Sequence, residues 1–480
     1  MNILSAAARR FISIPDITER GSGYELIHSD PENAGTSGGN SLRTRTSRRR
    51  RCASCLFQFF TLRRICCILT LIPTLVVLGI LCSGIPPSFN DVRRYERGLP
   101  QNNATRAQIE GGVRYLRFQD PLFGHGLNNI MQERIMMSQL SYLTNRSYVF
   151  EDYIWSLMST PYTIYDFALR PTRMPLNAFI SGPTAGGPMS DTTPRAVTVE
   201  LWDAVCPRDR VRVVNSKDAP SEADGASLLE WWKGELGKID ETCVEISGEK
   251  RVFDLFLFGG QRMHSLWPQL STSPILRQFT WSPLVHSTIL RNFALFQPSD
   301  TRSLSNFSEG SKLSGLVAVH LRRGDYKRHC PRLVHWDSRY MGFNSFPGLP
   351  DTFEPDKLED EAKAAYYMQH CLPTVEQLVQ RLHDVRKENP GLKRVYVMTN
   401  AWGWWIKSLL DALQKDGWDD LASTLDLQLD SEQFWVANAV DMAIGEKAEV
   451  FVGNGFSSMT ANIVMLRMAK ELPVDSCRFL

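Results

Sequence analysis

LVAVHLRRGDY, residues 316–326, begins as an unbroken apolar run and closes on two arginines, a glycine and an aspartate. A short apolar run bounded by a turn signal reads as a strand buried on both faces, the kind a parallel sheet contains. Two runs downstream repeat the pattern, RVYVMTN at 394–400 and EVFVGN at 449–454. Helical spacing occupies about 359–387, WWIKSLLDAL (404–413), 432–444 and SSMTANIVMLRMAK (457–470), and a short strand is expected near LDLQL (425–429). Strands separated by helices of this length connect in parallel, so 311–480 is expected to form a doubly wound α/β sheet.

Towards the N-terminus the pattern recurs once. VRYLRF (113–118) reads as a strand and LFGHGLNN (122–129) as a turn-rich loop. A helix follows over 127–143 and a second strand over 147–150. This βαβ-like unit opens a second Rossmann-like half, 112–310, within which 170–250 shows no placeable elements. The expected fold is therefore α/β, with two Rossmann-like halves facing a cleft.

Before these halves the chain is of another kind. Residues 1–64 are rich in Ser, Gly, Arg and Thr and read as a disordered cytosolic tail. Eight arginines and no acid lie between Leu42 and Arg64, which first suggests nucleic acid. The next 21 residues, ICCILTLIPTLVVLGILCSGI (65–85), carry no charge and have the length of a membrane-spanning helix. Basic residues before the span keep the N-terminus cytosolic, so the expectation is a type II membrane protein, with no nucleic-acid partner. Residues 86–111 read as a stem. The sequons at Asn103, Asn145 and Asn306 all follow the span. So do five cysteines, in a compartment that permits disulfides. Spacing does not fix their connectivity; the expected pairs are Cys206 with Cys243 and Cys330 with Cys371, leaving Cys477 over.

Three segments carry candidate chemistry. At the end of the 316–322 strand, Arg322 and Arg323 offer planar donor forks that match phosphate oxygens, and Asp325 can brace one of them. Arg-Arg-Gly-Asp is also what a surface ion-pair cluster would look like. VFVGNGFSSMTAN ends a strand and starts a helix at Ser457 and Ser458, an anion site by dipole and free N–H groups, or simply an N-cap. In GHGLNN (124–129), His125 stands between two glycines and can serve as a base or be merely solvated.

Together these segments resemble the GDP-fucose-dependent fucosyltransferase superfamily, above all the protein O-fucosyltransferases. The resemblance rests on HLRRGDY, on DMAIGEKAEVFVGNGFSSMT (441–460) and on the glycine-bounded GHGLNN loop. It implies a GT-B-like fold and donor contacts from His320, Arg322, Arg323, Asp325, Asp441, Ser457, Ser458, Thr460 and Asn128. Arg322 is the first candidate for the diphosphate, with His125 beside it as a catalytic candidate. Met459 stands where the family usually has an aromatic, and His125 where one branch has a glutamate base. The resemblance further implies inverting transfer of fucose to a hydroxyl of a glycoprotein or glycan, protein Ser/Thr first, with no metal and no cofactor beyond GDP-fucose. It also implies a Golgi or endoplasmic reticulum membrane. A glycan α1,2- or α1,6-type fucosyltransferase, and a catalytically silent sugar-binding protein of the same fold, are the alternatives.

Overall fold

A computed structural model describes residues 62–105, 112–119, 121–165, 168–189, 193–297 and 310–480. The tail expected over 1–64 lies outside them up to residue 61, as does the sequon at 306. The described chain falls into two units, a larger one over 87–161 and 172–480 and a smaller one made of the residues up to 86 with 162–171.

The larger unit contains two five-stranded parallel sheets. The first is built from β1 (Tyr115–Phe118), β2 (Ser147–Phe150), β3 (Val197–Thr198), β4 (Val211–Asn215) and β5 (Cys243–Ser247), in the order β3-β2-β1-β5-β4. Helix α1 (Leu127–Leu143) connects β1 to β2 and is buried on every side from Leu127 to Ser141. A helix covered all round has no need of an amphipathic stripe, and polar Asn128, Gln132 and Glu133 sit among its buried residues.

The second sheet contains β6 (Leu313–Leu321), β7 (Arg394–Thr399), β8 (Asp420–Ser423), β9 (Ala448–Gly453) and β10 (Cys477–Phe479), in the order β8-β7-β6-β9-β10. All four pairings are parallel, and β6 places His320 opposite Met398 and Val319 opposite Val452. Alternate residues of β6 enter different cores. Val317, Val319 and Leu321 pack with Val395, Val397, Val450 and Val452, whereas Leu316 and Ala318 join the main core. Both faces of the strand are covered, which is why the run is apolar without alternation. Its helices are α2 (Tyr326–His335), α3 (Asp360–Cys371), α4 (Val375–Glu388), α5 (Gly403–Lys415), α6 (Ala437–Lys447) and α7 (Ser458–Ala469).

Three expectations are corrected. The helical stretch 359–387 is two helices, because Pro373 has no N–H to continue α3 and Thr374 starts α4 with a capping box to Gln377. The strand expected at 425–429 lies at Asp420–Ser423, followed by a 3-10 turn, Thr424–Asp426. The stem expected at 86–111 contains a folded segment, the helix Asn90–Arg97, with Phe89, Glu96 and Leu99 buried. Arg93 anchors it through paired bonds to Asp152 at 2.5 and 2.7 Å. The membrane span expected over 65–85 is not shown. Among the described residues no helix is long and apolar enough to cross a membrane. A 22-residue helix, Leu62–Ser83, does occupy this stretch, with Pro73 inside it.

In the smaller unit that helix is joined by a two-stranded hairpin, Tyr162–Tyr165 with Ala168–Pro171. The Leu169 N–H donates to the Ser83 hydroxyl at 3.0 Å. Both expected disulfides are present: Cys206–Cys243 ties the segment after β3 to β5, and Cys330–Cys371 ties α2 to α3. Cys477 is a buried free thiol, and Cys82 an exposed one.

Candidate active site

The order of the second sheet reverses between β6 and β9, and ligands of doubly wound sheets bind beyond the carboxyl ends of strands at such a point. Two of the three segments singled out in the sequence emerge there. Leaving β6, the chain carries Arg322 inward until it is only 2% exposed. Its Nε and Nη2 donate to the two carboxylate oxygens of Asp325 at 3.2 and 2.8 Å. The guanidinium also lies 4.8 Å from the centre of the Tyr326 ring. Tyr326 is fixed in turn, its hydroxyl donating to the Phe456 carbonyl at 3.0 Å. The fork is thus aimed before any ligand arrives.

Arg323 takes the opposite course. Its guanidinium stacks over Trp405 at 4.2 Å, and Nη1 donates to the Pro373 carbonyl at 2.5 Å. It ties the loop to α5 and to the turn before α4.

Beyond β9 the backbone passes two points where side chains do not fit. A Cβ on Gly453 would come within 2.2 Å of the Thr460 methyl, and one on Gly455 within 2.4 Å of the Tyr340 ring. Asn454 between them is fully buried and donates to the Cys371 carbonyl at 2.8 Å. Ser457 then caps α7, accepting the Met459 N–H at 3.3 Å. Ser457, Ser458 and Thr460 are all buried at the head of this helix, whose partial positive end faces the switch point. The Thr460 hydroxyl meets His320 Nδ1 at 2.9 Å, linking the two strand ends. Burial, reinforced by the Arg322 charge, pushes His320 down to about 3, so the ring is neutral at physiological pH.

Between these groups opens a cleft with about 440 Å³ of free space, open solvent included, lined by His320, Arg322, Thr399, Asn400, Asp441 and Met459 among others. Asp441, from α6, has both carboxylate oxygens engaged: Tyr396 donates to Oδ1 at 2.7 Å and Thr424 to Oδ2 at 2.9 Å. Burial, and then the Asp441 charge, push the Tyr396 hydroxyl well up, so it remains a donor. From the first half, Asn128 reaches this region. Asn462 donates to its carbonyl at 3.0 Å and to its side-chain oxygen at 3.2 Å. Asn128 Nδ2 lies 3.5 Å from Asn438, another residue of the cleft.

Of the residues expected from sequence, the structure gathers His320, Arg322 and Asp441 on the cleft, Thr460 behind His320, and Asn128 behind Asn438. Asp325 grips Arg322 from the partly exposed side, while Ser457 and Ser458 head α7. Arg323 and His125 do not line the cleft. His125 is half-buried in its loop, with Nδ1 2.8 Å from the Phe123 carbonyl. A carbonyl only accepts, so that nitrogen carries hydrogen, and the neutral ring keeps its lone pair on Nε2. Sequence reasoning missed Thr399, Asn400, Thr424 and Asn438. The first two end the RVYVMTN strand, so their place at a carboxyl end was a readable signal.

Residues 292–470 match the family model described as GDP-fucose protein O-fucosyltransferase. No curated protein matches the chain. Among solved structures, POFUT1 in complex with GDP is similar at 14% identity and a TM-score of 0.43, covering 76% of this chain and 98% of that one. POFUT1 in complex with GDP-fucose gives 14% and 0.44, with 77% and 98% covered. An Arabidopsis thaliana FUT1 variant in complex with GDP gives 10% and 0.34, with 80% and 78% covered.

Proposed function

We propose, from the relation of this chain to the protein O-fucosyltransferases of the GDP-fucose-dependent superfamily, that it transfers fucose from GDP-fucose to a hydroxyl acceptor. The observation that carries this reading is the buried Arg322 guanidinium at the end of β6, lining one cleft with Met459 from the first turn of α7. A diphosphate seated there meets the guanidinium charge, braced by Asp325, on one side and the positive end of a helix on the other.

The reaction is an inverting displacement. The acceptor oxygen bonds to C1 of fucose as the bond from C1 to the diphosphate oxygen breaks, and GDP departs with the electron pair. Negative charge grows on the leaving diphosphate, where Arg322 and the α7 dipole stabilise it. The acceptor proton goes to a base, for which we assign His125 Nε2. The acceptor is a protein Ser/Thr hydroxyl, and no metal takes part. We further infer a type II membrane topology in the Golgi or endoplasmic reticulum, resting on the uncharged stretch 65–85, most of which lies in the helix Leu62–Ser83. Supporting this topology are the arginines before that helix and the exposed sequon residues Asn103 and Asn145 after it.

The test is calorimetric binding of GDP and a screen of GDP-sugars with purified protein, with and without EDTA. Binding of GDP and release of fucose from GDP-fucose in both conditions are expected. Absence of GDP binding refutes the reading, and loss of turnover in EDTA refutes metal independence. A glycosidase-induced mobility shift at Asn103 and Asn145 in microsomes checks the topology.

A further inference from the structure

We infer that Asn400 is a positioning residue for donor binding, acting on Arg322 through Asp325. This rests on Arg322 being the diphosphate ligand. Asn400 is the first residue past β7, on the cleft wall, and came from no motif in the sequence. Its side chain is spent on the loop that leaves β6. Oδ1 accepts the backbone N–H groups of Arg323 at 2.8 Å and of Gly324 at 3.2 Å. Nδ2 donates to Asp325 Oδ1 at 3.2 Å. That same oxygen accepts Arg322 Nε at 3.2 Å, so one carboxylate oxygen is shared by the amide and the guanidinium.

The chemistry of each end explains why an amide stands here. Two backbone donors converge on one point and need an acceptor. An acceptor also sits on the other side, on Asp325, and needs a donor. Only a side chain with both, on a stem this short, serves the two at once. Aspartate would keep the first contact but turn an oxygen toward a carboxylate. Leucine would orphan two N–H groups. Gly324 adds to the fit, because a Cβ there would lie 3.3 Å from Asn400 Nδ2. Asp325 is 44% exposed and Arg322 2%, so Asn400 holds the mobile partner of the pair rather than the buried one. A carboxylate at such exposure, without Asn400, samples rotamers that release the guanidinium. The fork then loses its aim at the diphosphate.

The experiment is a double-mutant cycle on GDP affinity, using full-length protein with wild type, N400D, D325N and the double variant. Guanosine is measured alongside as a ligand without phosphates. Wild type must bind GDP, and if it does not, the functional reading fails before this inference is tested. Given binding, N400D is expected to weaken GDP about tenfold and to leave guanosine unchanged. In the D325N background the same substitution should cost no more than twofold, because its target carboxylate is gone. Equal losses in both backgrounds, equal weakening of guanosine, or GDP binding by N400D at wild-type strength would each overturn the inference. A wild-type melting temperature for N400D, expected here, separates misaiming from unfolding. If N400D fails to fold, N400S, which retains an acceptor and a donor on a shorter stem, takes its place in the cycle with the same outcomes.

Discussion

The imidazole of His320 and the hydroxyl of Thr460 meet at 2.9 Å although they come from different strand exits, 140 residues apart. This contact links β6 to α7 beside the cleft, and the groups around it, with His125, give four predictions.

Arg322→Ala removes the guanidinium to which the proposed function assigns the diphosphate. Charge-assisted bonds contribute about 1.5–3 kcal/mol each, so loss of roughly a hundredfold in GDP affinity is expected, with donor turnover abolished. Arg322→Lys keeps the charge without the planar pair and should fall between the two. Calorimetry with GDP and a fucose-release assay check both. Affinity within threefold of wild type in the alanine variant would remove Arg322 from the site.

Asp441 presents a carboxylate whose two oxygens are already oriented by Tyr396 and Thr424. Guanine offers N–H donors to such a group, where adenine offers an acceptor. In Asp441→Ala the preference for GDP over ADP should collapse to within about fivefold, about 1 kcal/mol. Competition binding with the two nucleotides reads this directly. An unchanged preference would place the base elsewhere.

His125→Ala should lower turnover about a hundredfold, the usual size of a general-base contribution, while GDP affinity stays as in wild type. The two quantities are separable because His125 does not line the cleft proposed for the nucleotide. Single-turnover rates at saturating GDP-fucose give the answer, and a wild-type rate excludes the histidine.

His320 makes stability pH-dependent. Its folded value is about 3, below the ordinary 6.5, so between these limits the unfolded chain binds a proton that the folded chain refuses. Stability contributed by the neutral ring is complete above about 6.5 and is lost progressively as pH falls toward 3. From pH 7 to pH 5 the loss is about 2 kcal/mol. His320→Asn lacks this term. Urea unfolding at the two pH values should therefore show a smaller acid loss in the variant. Equal losses would mean that the ring is protonated in the fold.

How much of this was legible depends on burial. β6, β7 and β9 are covered on both faces, so each is a run of apolar residues that cannot be mistaken for a loop. α1 was delimited to the residue by its glycine-rich approach and its long apolar content. The strands of the first sheet were harder. β4 leaves Arg212 and Val213 exposed at a sheet edge, and β3 is two residues long, so neither produces a pattern. β8 begins with Asp420, which reads as a turn, while the apolar LDLQL after it forms no strand. The helix Asn90–Arg97 has five charged residues of eight, and its fixation by Asp152 is a contact across 59 residues that local composition does not contain. The same holds for the cleft. Arg322 and Asp441 announced themselves by type and motif, but Asn400 matters through a pairing between neighbouring strands that only the register reveals.

One apolar core runs without a break from Leu116 and Ile130 in the first half to Val464 and Phe479 in the second. The halves therefore share one core rather than each closing its own. Nucleotide bound at the second sheet would raise the unfolding free energy of the first as well. A destabilising change far from the cleft, in α1 for example, would then be masked in cells rich in donor and exposed where donor is scarce.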